Sequence, residues 1–276
     1  MGEDDNDDEA ALFFHQTFDY VKCINLKRRP DRWQAFTSQS SSVVGADVVS
    51  KIVERVDAVD GILLTPDTTD VPPNECKMEW DASENAKYDP HIRPPMIKQC
   101  TMGEVGCTLS HVALWKELVA MAVQEEAPPA RPDASMLILE DDAIFHPTFS
   151  SSFSKMWKLV PEDWDIFYLG FCNVGPVTPV VQHKYPQGEG QHDCLTVSIV
   201  RPSYGFYTHA YALRTKAAQT LVSQLPVVGP IDTWLADNAW FGMNVYYGVI
   251  GRSTCIIGQQ RKDLKNDIVH SAHCRD

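Results

Sequence analysis

The chain has 276 residues, 44% of them hydrophobic with seven Trp, enough for a real core in one large domain or two small ones. Its formal charge is −13, but Glu3, Asp4, Asp5, Asp7, Asp8 and Glu9 crowd the first ten residues and removing them leaves −7, while basic residues are scattered rather than striped, so a nucleic-acid binder is excluded. No run approaches the roughly 18 apolar residues of a membrane helix, the acidic start is unlike a secretory signal, and eight Cys without a Cys-x-x-Cys pair exclude zinc-site spacing.

Residues 1–18 read as an acidic leader that is disordered at its start, and residues 19–276 as a single domain. Tyr20–Leu26 predicts a first strand, Lys27–Arg32 a basic loop, and Trp33 a helix beginning just after Pro30 and Asp31. A strand, a cationic loop and a helix N-terminus in succession suit a phosphate or diphosphate, although a solvated basic loop has the same composition. Asn25 closes the strand, where polar residues face the ligand crevice of open α/β sheets.

Lys51–Gly61 predicts a second strand closed by an Asp-Gly turn. Pro66–Pro95, with six prolines and no sustained period, predicts a long loop. Gly103–His111 opens the clearest helix, with Val105, Leu109, Val112, Leu118 and Val119 as its core stripe. His111 within it reads as a packed, hydrogen-bonded residue.

Met136–Asp142 predicts a short strand buried on both faces and ending in Glu140-Asp141-Asp142. In an extended chain Glu140 and Asp142 point to one side and Asp141 to the other. Two carboxylates about 5 Å apart repel by roughly 3 kcal/mol at an effective dielectric near 20. A divalent ion with oxygen ligands would relieve that, and a solvated acidic loop is the plain alternative.

Further on, Phe149–Leu159 predicts a helix, Trp164–Gly170 a strand, and residues 172–200 a second long loop. Gly205–Leu213 predicts a strand leading into a helix at Thr215–Leu225, Pro230–Asp237 a turn and short helix, and Val245–Ile250 and Cys255–Ile257 late strands. The alternation predicts an α/β architecture with a mixed, mostly parallel sheet flanked by helices. With no sequon either, the chain as written reads as cytoplasmic, and as belonging to the ER lumen only if the true N-terminus is missing.

Cys23–Arg32, Ala58–Gly61, Gly103–His111 and Leu139–Asp142, in that order, resemble glycosyltransferase family 25. Tyr168-Leu169-Gly170, Thr208–Leu213 and Pro230-Ile231-Asp232 continue the match, over about residues 19 to 269. That family holds bacterial lipooligosaccharide glycosyltransferases and the galactosyltransferase domains of procollagen-modifying enzymes. The resemblance implies a GT-A-type nucleotide-sugar-binding fold, a UDP-sugar donor (UDP-galactose foremost), Mn²⁺ or another divalent metal, and transfer with inversion.

On that basis Asp142 is expected at the metal, Glu140 at the ribose or the metal, and Asp141 bracing the nucleotide-binding loop. Asn25, Arg29 and Arg32 are expected near the nucleotide, and Asp60 near the uridine. Asp232, opening a helix in the acceptor half, is the first candidate for general base and Asp237 the second. Asp232 could equally be a plain N-terminal helix acid. His270 or His273 could complete the metal site, or belong to a frayed tail. The acceptor would be a glycan, a lipid-linked glycan or a protein hydroxyl. The competing reading is a catalytically inactive relative that keeps the fold as a glycan- or protein-binding module.

Overall fold

The computed structural model describes residues 16–65, 70–83, 95–123, 133–186, 194–238, 242–251 and 254–260. Residues 1–15 of the acidic leader, much of the Pro66–Pro95 stretch, and His270 and His273 lie outside the described residues, while Phe18 at the leader's end is buried in the core.

Strand β1 (Tyr20–Asn25) leads into α1 (Pro30–Val44), with Pro30 in the first turn, where its missing amide hydrogen is not needed. Next come α2 (Ala46–Ile52) and β2 (Val53–Asp57). Lys51 and Ile52, expected to begin the second strand, end α2 instead. An Asp47–Lys51 pair one turn apart and buried Val49 give that segment a helical pattern. A 3-10 turn, Gly61–Leu63, is capped by Asp60, whose carboxylate accepts the Ile62 amide.

Short strands β3 (Cys76–Lys77), β4 (Glu79–Asp81) and β5 (Ile97–Gln99) precede α3 (Met102–Val123). The start of α3 is a reciprocal cap: Thr101 donates its amide to the Glu104 carboxylate at 2.8 Å, and Glu104 returns its amide to the Thr101 hydroxyl at 3.2 Å. After α3 come β6 (Ser135–Glu140), β7 (Ala143–Phe145), α4 (Phe149–Trp157), β8 (Ile166–Asn173), β9 (Val177–Pro186) and β10 (Cys194–Pro202). The chain then continues through β11 (Gly205–Arg214), α5 (Thr215–Ser223), β12 (Val227–Val228), α6 (Ile231–Asn238), β13 (Val245–Ile250) and β14 (Ile257–Gln259).

Residues 172–200 are therefore not a long loop. Most of them form β9 and β10, an antiparallel hairpin at the edge of the sheet. β9 is exposed along nearly its whole length, so it lacks the apolar alternation that marks a strand, and an edge tolerates Pro179 and Pro186.

Eight strands make one sheet in the order β2-β1-β6-β11-β8-β13-β10-β9. β1 pairs in parallel with β2 and β6, β8 with β13, and only β11 and β10 run against the other six. Val21, Cys23, Leu137 and Leu139 pack on one face with Phe36, Val49, Phe149 and Phe153 of α1, α2 and α4. Ile24, Met136 and Ile138 pack on the other with Trp115, Leu118, Leu221 and Trp234 of α3, α5 and α6. β6 is thus covered on both sides, as its unbroken apolar run requires. Among the described residues no helix is long and apolar enough to cross a membrane.

From β1 the chain crosses to β2 over one face through α1 and α2, then crosses to β6 over the other through α3. The strand order therefore switches direction between β1 and β6, and such a switch opens a crevice at the strands' carboxyl ends. The wall of that crevice is fixed by backbone contact. A Cβ on Gly106 would lie 2.5 Å from the Val59 carbonyl oxygen, and one on Gly61 would lie 2.0 Å from that of Met102. Ser110 ties the same surfaces together, accepting the Val59 amide at 2.9 Å while donating to the Gly106 carbonyl at 2.7 Å.

Gly106→Ala should therefore destabilise the protein although alanine favours helix by about 1 kcal/mol. Overpacking against backbone costs about 1–3 kcal/mol. Denaturant titration is expected to show a lower midpoint with unchanged slope, and a midpoint at or above that of the wild type would contradict the contact.

Candidate active site

The crevice holds a cavity of about 290 Å³ lined by Arg28, Arg32, Asp60, His111, Glu140 and Asp141 together with an apolar wall that includes Ile24, Val59, Ile62 and Met102. Polar groups converging on an apolar-walled cleft at a topological switch are what a small-molecule site needs.

The acidic triplet does not alternate as an extended chain would. β6 ends at Glu140, and Asp141 and Asp142 form a turn before β7. Glu140 and Asp141 both line the cavity, whereas Asp142 turns to Arg32, 3.4 Å away, and to Gln259, whose amide donates to it at 3.1 Å. Arg32, buried on the first turns of α1, also pairs with Asp141. Asn25 donates its amide to Asp141 at 2.5 Å and to the Arg29 carbonyl at 3.1 Å, and accepts Arg55 Nε at 2.9 Å. Asn25 therefore braces the crevice floor and is not among the residues lining the cavity.

Charge is divided unequally along the triplet. Burial followed by the neighbouring Glu140 charge pushes Asp142 up to about 7, and its Oδ1 is buried without a hydrogen-bond partner among the described residues. Burial also raises Asp141, against the opposing pull of Arg32. Glu140 goes the other way. Burial alone would raise it, but His111 and Thr208 hold it well below the usual carboxylate range. Thr208 donates to Glu140 Oε1 at 2.7 Å, and His111 Nε2 lies 3.3 Å from the same atom.

Around this core, Asp60 is held by a two-pronged contact with Arg28, at 2.7 and 3.3 Å. Arg29 turns to Asp31 and lies outside the cavity lining, so only one of the two expected arginines faces the cleft. Asp232 sits in the first turn of α6, accepting the Thr233 amide at 2.8 Å on one oxygen and facing the Tyr207 amide at 3.4 Å with the other. Tyr207 holds a left-handed φ of 79° inside an irregular stretch of β11, a strained conformation for a bulky residue. The helix that carries Asp232 packs through Ile231, Trp234 and Leu235 on the sheet face that bears Ile138 and Tyr211, and burial, then the Glu140 and Asp232 charges, raise the Cys107 thiol. Asp237 belongs to α6, and His270 lies outside the described residues.

Sequence reasoning did not assign Arg28, Thr208, Gln259 or Arg55 to the site, and read His111 only as packed. Arg28 and Thr208 fall inside the ordered motifs, so their neighbourhood was marked although their partners were not. Gln259 and Arg55 carry no local signal, because their contacts are made 117 and 30 residues away.

Residues 18–235 match the sequence model described as "Glycosyltransferase family 25 (LPS biosynthesis protein)". Among curated proteins, the chain is 29% identical over 226 residues to "Inactive glycosyltransferase 25 family member 3" of Homo sapiens, covering 79% of this chain and 31% of that protein. It is 28% identical over 225 residues to "Procollagen galactosyltransferase 2" of Mus musculus, covering 79% and 30%. To "Glycosyltransferase 25 family member" of Aedes aegypti it is 25% identical over 221 residues, covering 78% and 30%. The chain thus spans about a third of the length of the curated relatives it matches. A match running from β1 into α6 takes in every strand that ends in the crevice, and with its mixed sheet flanked by helices in the GT-A manner, the chain belongs to glycosyltransferase family 25.

Proposed function

We propose that the protein is an inverting hexosyltransferase. It moves galactose from UDP-galactose to a hydroxyl of a glycan, a lipid-linked glycan or a protein, with Mn²⁺ or another divalent ion bound. The observation that carries this reading is the convergence of Arg32, Asp60, Glu140 and Asp141 on one crevice at the carboxyl ends of β1, β2 and β6, with Asp142 tied to it through Arg32.

The residues fit a hard cation. The Arg32 guanidinium is shared by Asp141 and Asp142, and Asp142 Oδ1 is buried with no hydrogen-bond partner among the described residues. An all-oxygen donor set suits Mn²⁺ or Mg²⁺. Asp142 would hold the ion, with Glu140 at the ion or at the donor's ribose and His270 a further candidate ligand. Bound there, it would neutralise charge growing on the leaving diphosphate.

The chain's own groups supply the rest. Arg32 and Arg28 bring positive charge to the nucleotide's end of the cleft, and Asp60 presents a carboxylate to the uridine. Asp141, braced by Asn25, keeps the turn in place. Inversion needs a carboxylate to take the acceptor hydroxyl's proton as its oxygen attacks the anomeric carbon. Asp232 is assigned that role. Its first oxygen is fixed by the Thr233 amide, which sets the direction of the second. Asp237 is the reserve candidate.

A second reading, a catalytically inactive relative that binds glycans or protein, is favoured by one observation: a similar human protein is named inactive. The intact Glu140-Asp141-Asp142 run and Asp232 weigh against it.

In calorimetry, UDP-galactose is expected to bind in the presence of Mn²⁺ and not after its removal, and Asp142→Ala should abolish the metal-dependent part. Binding that ignores both changes would sink the assignment. Asp232→Asn should bind donor normally yet lose transfer by 10²-fold or more, within the usual range for general-base loss of about 10²–10⁴. Near-normal turnover by that variant would remove Asp232 as base. A third expectation concerns pH. The folded pKa of Asp142, about 7, lies above the unfolded value of about 3.9, so the folded state keeps a proton that the unfolded chain releases. Metal-free protein should lose stability as pH rises from 5 to 8, and Asp142→Asn should lose less. Parallel melting curves for the two proteins across that window would refute the assignment of strain to Asp142.

A further inference from the structure

Cys107, His111 and Trp115 are spaced four residues apart on α3, so they share one stripe of that helix. Tyr211 of β11 pairs with Ile138 of β6, which puts its ring on the face that carries Ile138 and Glu140. Two elements far apart in sequence thus build a buried chain, Trp115–Tyr211–His111–Glu140, ending at the cavity.

The direction of every hydrogen bond in that chain can be deduced. An indole N–H only donates, so the Tyr211 oxygen accepts from Trp115 at 2.9 Å. The Tyr211 hydroxyl must then place its own proton, and the remaining partner among the described residues is His111 Nδ1 at 3.0 Å. Tyr211 is fully buried, so that proton goes to Nδ1 rather than remain unbonded. Nδ1 therefore carries a lone pair, and the neutral ring bears its hydrogen on Nε2, which faces Glu140 Oε1. The far end agrees, since a lone pair on Nε2 would meet a carboxylate oxygen head-on. An imidazolium would need a hydrogen on Nδ1 and would strand the Tyr211 proton.

At Glu140, His111 and Thr208 both converge on Oε1. Oε2, on a side chain that lines the cavity, has no protein donor among the described residues. We propose that Trp115, Tyr211 and His111 form a one-way hydrogen-bond relay that keeps Glu140 Oε1 engaged and presents Oε2 to a hydroxyl of the nucleotide-sugar donor. His111 is then a positioning residue, and this assignment rests on the reading of the cavity as a nucleotide-sugar site. The same polarity decides against a second possibility. Cys107, His111 and Glu140 offer ligand atoms within 4.8 Å of one another, a spacing that would suit Zn²⁺. Coordination would require the Nε2 lone pair, which the relay replaces with a hydrogen.

The test begins without any ligand. Nitrogen-15 spectra of the histidine-labelled, folded protein should show His111 with a hydrogen-bearing Nε2 and a lone-pair Nδ1. Tyr211→Phe removes the hydroxyl and should give mixed tautomers. A wild type dominated by the Nδ1–H form or by imidazolium overturns the relay. Binding of UDP-galactose with Mn²⁺ then reads the consequence. Tyr211→Phe and His111→Ala should weaken it on the order of tenfold, the effect of one lost charge-assisted hydrogen bond. His111→Gln should stay within a few-fold of wild type, because its amide N–H can donate to Glu140 while its oxygen accepts from Tyr211. Unchanged affinity in Tyr211→Phe, or equal losses in the Gln and Ala variants with melting temperatures intact, overturns the positioning role. If His111→Ala fails to fold, the Tyr211→Phe and His111→Gln pair decides. A wild type that binds no UDP-galactose overturns the nucleotide-sugar reading and the presentation of Oε2, while the tautomer spectra still judge the relay by themselves.

Discussion

Like charge gathered at the end of a strand buried on both faces is the constraint to which the rest of the crevice answers. At an effective dielectric near 20, each pair of carboxylates about 5 Å apart opposes folding by roughly 3 kcal/mol. The protein meets this with different means at each position. Asp141 receives the Arg32 guanidinium and the Asn25 amide. Glu140 receives two hydrogen-bond donors and keeps its charge. Asp142, with a 3.4 Å contact to Arg32 and one amide, is left under-compensated and so tends to hold a proton. The unequal treatment separates a permanently charged hydrogen-bond acceptor from a carboxylate suited to exchange its proton for a cation.

The means of compensation come from both faces of the sheet, which explains the amount of architecture committed to one strand end. Arg32 arrives from α1, positioned by a helix that starts at Pro30. His111 arrives from α3, whose first turn is pinned by the Thr101–Glu104 cap and whose axis is pressed against residues 59–61 at Gly106. That same contact places Asp60. Gly106 and Gly61 thus matter for the approach of two backbones, and the cavity wall inherits its shape from it.

Much of this was readable along the chain because the causes are local. Pro30 ahead of an amphipathic stretch marks α1. An unbroken apolar run before three acids marks a doubly covered strand. Ordered motifs over most of the chain pointed to the family. What escaped had causes at long range. β9 is a strand through its pairing with β10, and its own residues are mostly exposed whatever their polarity. Lys51 and Ile52 read equally as strand or helix until Val49 is seen packed in the core. The facing of Asp142 reversed because the strand stops at Glu140, and Gln259, over a hundred residues later, receives it.

By itself the sequence determined the elements around the crevice, the family, and the residue types available for chemistry, since periodicity, helix starts and motif order are all properties of neighbouring residues. Only the tertiary structure decided which carboxylate faces the cavity, which arginine reaches it, and which way the hydrogen bonds run through His111. Those outcomes depend on partners from other elements and on burial, which removes water as an alternative partner and so forces each proton to a particular atom.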